Sequence, residues 1–66
     1  MNIVLNGQSF RAADGCSVAA LADQLHLAGK RYAVEINGDI VPRSIHHETR
    51  LHEGDRVEIV QAIGGG

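Results

Sequence analysis

The sequence predicts a small two-layer α+β domain, a mixed β-sheet with one main helix packed on one face. Three observations carry that reading. Two Asn-Gly dipeptides, Asn6-Gly7 and Asn37-Gly38, each end a β-branched apolar run and tolerate the positive φ angles of a tight hairpin turn. Between them, Val18, Leu21, Ala22 and Leu25 recur at helical spacing and form one apolar stripe. The closing run from Arg56 to Ile63 is apolar on both sides, with Val57, Ile59 and Ile63 on one and Val60 and Ala62 on the other, as in a strand central to its sheet.

In chain order, Ile3-Val4-Leu5 is a first strand that turns at Asn6-Gly7, and Gln8 to Ala13 returns beside it until Asp14-Gly15. Ser17 is the natural N-cap of the helix, because its hydroxyl can accept from an unpaired amide of the first turn. Gly29, followed by Lys30 and Arg31, predicts the helix stop after roughly three turns. Tyr32 to Asn37 alternates as a third strand, and Ile40-Val41 pairs briefly before Pro42 removes a ladder donor. Ser44 to Glu48 reads as a short helical turn or loop, and Glu53-Gly54-Asp55 as the turn into the last strand. This order is the β-grasp, or ubiquitin-like, plan, with a domain over residues 1–63 and a flexible glycine tail over 64–66.

Composition narrows the function classes. A chain of 66 residues allows one domain, which buries only roughly 60% of the surface its unfolded chain would expose. A deep active site with a lid is hard to build at that size, so a binding module, carrier or subunit is expected rather than an enzyme. The net charge of −2 gives no basic footprint for nucleic acid. One cysteine excludes an internal disulfide framework and suits a reducing compartment. With neither a basic, apolar leader nor a run of about 20 apolar residues, the expected location is the cytoplasm, away from membranes.

The last strand passes directly into Gly64-Gly65-Gly66. Glycine lacks Cβ, so such a tail can thread a narrow channel in a partner and bring a terminal carboxylate into that partner's active site. With this tail, the segment Ala33-Val34-Glu35-Ile36-Asn37-Gly38-Asp39-Ile40-Val41-Pro42-Arg43 and the turn Glu53-Gly54-Asp55, the chain resembles the ThiS family of sulfur carriers in thiamine biosynthesis across essentially its whole length. Gly64 before the terminal pair is a small departure that lengthens the tail by one residue.

The resemblance implies a mechanism. An E1-like adenylyltransferase of the ThiF type would use ATP and Mg²⁺ to adenylate the Gly66 carboxylate. Sulfur from a cysteine desulfurase, carried as a persulfide, would then convert it to a thiocarboxylate, and a ThiG-type thiazole synthase would take that sulfur. The protein would bind no cofactor of its own and would act as a co-substrate. The alternatives are the small sulfur-carrying subunit of molybdopterin synthase, which shares fold and diglycine end, and a ubiquitin-like interaction or modifier module. Lys30 is the sole lysine, which argues against a chain-building modifier.

If the helix covers Ile3, Leu5, Val57 and Ile59, then Val4, Val60 and Ala62 emerge on the open side of the sheet beside the tail, and with Ile63 and Arg43 they are the expected docking residues. Arg11 is read as an ordinary surface charge. A rival reading has the Cys16 thiol carry the sulfur, just before a helix start that favours a thiolate; since free cysteines are usually buried and no basic residue adjoins it, it is read as a packing residue. His46, His47 and His52 are read as solvated loop residues and His26 as exposed, with no metal site, because neighbouring histidines point apart and nothing completes a tetrahedral set.

Overall fold

The computed structural model describes residues 1–62. Five strands form one sheet: β1 (Asn2–Leu5), β2 (Gln8–Arg11), β3 (Tyr32–Ile36), β4 (Asp39–Val41) and β5 (Arg56–Gln61), in the order β2-β1-β5-β3-β4. The helix α1 (Val18–Gln24) follows the first hairpin, and a single 3-10 turn spans Arg43–Ile45. β1 runs parallel to β5, with Val4 opposite Arg56, and β3 runs antiparallel to it, with Val34 opposite Ile59. The last strand is central, as its apolar character predicts. Its second face stays open to solvent, however: Val57 is fully buried while Val60 is 67% exposed.

Both hairpins turn where expected. Asn6 and Asn37 take φ of 49° and 51°, and the glycines after them 81° and 90°. Each asparagine does more than tolerate the turn. Asn6 Oδ1 accepts from the Ile59 amide at 2.8 Å, and Asn37 Oδ1 accepts from the Arg56 amide at 2.9 Å. The central strand is thus held from both flanks by turn side chains that satisfy its backbone donors.

Ser17 caps α1 as predicted, its Oγ accepting from the Ala20 amide at 3.0 Å. The other first-turn amides find carbonyls: Val18 donates to Thr49, Ala19 to His46 and Leu21 to Ser17. The helix ends earlier than Gly29. His26 takes φ of 61°, the Leu27 amide donates to Ala22 and the His26 amide to Asp23, the bond pair of a Schellman stop. The physical reason is Leu27, which is buried and can reach the core only if the chain reverses before it. Gly29, at φ 78°, serves the next turn instead, where Lys30 donates to Leu27.

The core lies between α1 and one sheet face. Ile3, Val18, Leu21, Val34, Leu51 and Val57 are its largest fully buried side chains, each worth about 1.5–3 kcal/mol of transfer free energy. Cys16 packs partly buried against this cluster, in line with a packing role. Three strand and turn limits differ slightly from expectation. β2 ends at Arg11 rather than Ala13, because Ala12 turns into the core after donating to Met1 O. The helical turn begins at Arg43 rather than Ser44, and β5 is described to Gln61. Ile63 and the 64–66 tail, with the domain boundary between them, lie outside the described residues.

Candidate functional site

The end of the sheet where β5 finishes is built by three segments. Gln61 pairs with Tyr32, Val60 with Ala33, and Val41 with Val34, so the close of β5, the start of β3 and the close of β4 meet there. One further backbone bond extends the ladder, from the Ala62 amide to Arg31 O at 3.0 Å. Residues 63–66 follow Ala62 in sequence.

Alternation along the strands divides the residues of this sheet end between two faces. Val60 and Ala33, with Ala62 beyond them, fall on the open side and are exposed. Tyr32 falls on the helix side. The Arg43 guanidinium lies over the Tyr32 ring at 4.3 Å from its centroid, and Arg43 Nη2 donates to Lys30 O and Tyr32 O at 3.3 Å each. The expected docking residues therefore split. Val60 and Ala62 share the open side, and Arg43 stands across the sheet from them. Val4 is on the open side but half-buried and opposite Arg56, four strand positions and about 13 Å along β5 from Val60. It lines a separate cavity of about 450 Å³ between the two hairpin turns, with Gly7, Gly38, Arg56, Val57 and Glu58.

Two features of the open side were not read from the sequence. Glu35 and Glu58 stand directly opposite each other, a like-charge pair that weakens the sheet. Ile40, opposite Glu35, is 72% exposed, so the apolar surface extends to the β4 edge.

His46 corrects the expectation of a solvated loop residue. It is buried because its ring stacks on Tyr32 with centroids 5.9 Å apart, and because its Nε2 lies 3.0 Å from Val41 O. A carbonyl can only accept, so Nε2 donates to it, and Nδ1 has no partner among the described residues. No local pattern in the sequence signals this burial; its carbonyl also accepts from the Ala19 amide of the helix N-terminus. His26, His47 and His52 are exposed. Among the described residues no three His, Cys, Asp or Glu side chains gather as a metal set, and no helix is long and apolar enough to cross a membrane.

The residues that build this sheet end are apolar, aromatic, amide-bearing or cationic, and none is acidic. Similar proteins share this plan. The crystal structure of the thiamine biosynthesis protein ThiS of Geobacter metallireducens matches the whole chain at a TM-score of 0.84 and 32% identity, with all of that chain covered. The sulfur carrier protein ThiS of Escherichia coli K12 is 35% identical over 66 residues, the full length of both. The thiazole synthase of Paramagnetospirillum magneticum is 38% identical over the same 66 residues, which span 20% of its length. The family model for ThiS matches residues 3–66, and with this fold and these relatives the chain belongs to the ThiS family.

Proposed function

We propose that this protein is the sulfur carrier for thiazole formation in thiamine biosynthesis, with Gly66 as the C-terminal residue that is charged. The observation that carries the reading is the position of the tail root: in a ThiS-family chain, the central strand β5 leads to the backbone bond from Ala62 to Arg31, the last among the described residues, and three glycines follow in sequence after Ile63. Four residues beyond Ala62 reach at most about 14 Å, enough to enter a partner's site while the folded domain stays outside.

A carboxylate is a poor electrophile, so activation comes first. A ThiF-type adenylyltransferase joins the Gly66 carboxylate to the AMP moiety of ATP, with Mg²⁺, and releases pyrophosphate. The terminal sulfur of a persulfide, supplied through a cysteine desulfurase, displaces AMP and forms an acyl disulfide. A partner thiol then attacks the partner's sulfur, forming a disulfide and releasing the Gly66 thiocarboxylate. Thiazole synthase accepts that sulfur and the carboxylate returns. The carrier supplies the reacting terminus and a docking surface, in which we place Val60, Ala62, Ile63 and Arg43, while Gly64 and Gly65 occupy the channel. Val4 would contact the partner only if the partner extends along the sheet.

The thiazole synthase relative supports thiamine over molybdopterin, because a stretch similar to this entire chain forms one fifth of that enzyme. Deleting the gene and testing growth decides between them. Thiamine auxotrophy with intact molybdoenzyme activity is expected, and the reverse pattern would assign the protein to molybdopterin synthase.

A further inference from the structure

From the charge around the tail root, we infer that Lys30, Arg31 and Arg43 form a cationic collar that binds carboxylates rimming the tail channel of thiazole synthase. The inference rests on the sulfur-carrier reading and adds the chemistry by which the partner is recognised. The chain has 6 basic and 8 acidic residues, yet the segments that build this end, residues 30–33, 41–43 and 60–62, hold three of the cations and none of the acids. The other three cations share the rest of the molecule with all eight acids. An overall negative protein therefore presents a locally positive end, and it is the end that must approach the partner first.

The collar is free to bind. Lys30, Arg31 and Arg43 are all exposed, and among the described residues the ion pairs join Met1 to Asp14 and His52 to Asp55, so none of the three cations meets a carboxylate there. Arg43 is also set in place. The Tyr32 ring and the carbonyls of Lys30 and Tyr32 hold one part of its guanidinium, while Nε and Nη1 have no partner among the described residues. A planar fork oriented in advance loses less freedom on meeting a carboxylate than a mobile side chain would. The Ala62–Arg31 bond ties the collar to the tail, so an acidic rim that engages it aligns residues 63–66 with the channel. Complementary charge at such a rim acts mainly on encounter rate and salt dependence.

The test is the affinity of full-length carrier for thiazole synthase, measured by calorimetry at 50 and 300 mM NaCl. The variants are Lys30→Glu/Arg31→Glu and, as a charge-matched control remote from this end, Arg11→Glu/Arg50→Glu; thermal unfolding verifies that both fold. The collar variant is expected to bind at least about tenfold more weakly at low salt and to lose most of the wild-type salt dependence, with the control within about threefold of wild type. Equal affinities for all three proteins, or equal losses in both variants, would overturn the collar while leaving the carrier reading intact. If wild-type protein fails to bind thiazole synthase, both fall, and formation of the thiocarboxylate then shows whether another sulfur acceptor is served.

Discussion

The amide of Ala62 donates to the carbonyl of Arg31 at 3.0 Å, one register step beyond the pairing of Gln61 with Tyr32. Ala62 is the last described residue, and four more follow it in sequence. Because four residues extend at most about 14 Å, removing two of them halves the reach of the terminus. A variant lacking Gly64 and Gly65 should keep its unfolding midpoint, since neither takes part in the described fold, and should lose sulfur transfer to thiazole synthase. Undiminished transfer in a single-turnover assay would show that tail length does not govern the reaction.

Asn37 combines three tasks that no other residue could share: φ of 51°, an oxygen that accepts from the Arg56 amide, and an Nδ2 that donates to Asp55 Oδ1 at 3.1 Å. Asn37→Ala removes both bonds and keeps a Cβ in the left-handed region, so a loss of about 1–3 kcal/mol is expected in urea unfolding. Asn37→Gly relieves the backbone strain and should lose less. A larger loss in the glycine variant would mean that chain entropy, rather than turn geometry, dominates.

Leu51 lies outside any strand or helix yet is 1% exposed, and its amide donates to Cys16 O at 2.9 Å. Truncation to alanine leaves a void beneath α1 and should cost about 2–5 kcal/mol. A urea midpoint within error of wild type would show that the loop before β5 collapses to fill it.

Asp14 is exposed, and its carboxyl is held below the usual aspartate value by a 2.8 Å hydrogen bond from the Met1 ammonium and by that group's charge. A carboxyl with a lowered folded-state pKa contributes stability above its unfolded value and loses it as pH falls through the folded value. Acetylating the N-terminus should return the Asp14 midpoint, followed by NMR of its carboxyl carbon, upward toward the ordinary value. A midpoint unmoved by acetylation would place the cause elsewhere.

Elements defined by local chemistry were legible in the sequence. The Asn-Gly turns, the Ser17 cap and the central place of Arg56–Gln61 follow from turn geometry, an orphan amide and two-sided apolarity, and the structure shows all three. What depended on tertiary packing was not. The helix stops at Leu25 because Leu27 is drawn into the core, a long-range demand that overrides the Gly29 signal. His46 is buried by a tyrosine 14 positions earlier in sequence, which no periodicity reveals. At the site, the glycine tail was visible as composition, but the grouping of Lys30, Arg31 and Arg43 around its root requires the β3–β5 register.

The most direct test of the carrier mechanism is mass spectrometry of the C-terminal peptide after incubation with ATP, the adenylating enzyme and a persulfide donor. Exchange of one oxygen for sulfur on Gly66, a gain of about 16 Da, is predicted, and deletion of Gly66 should lower its yield sharply. An unchanged peptide, or sulfur carried on Cys16 instead, would contradict it.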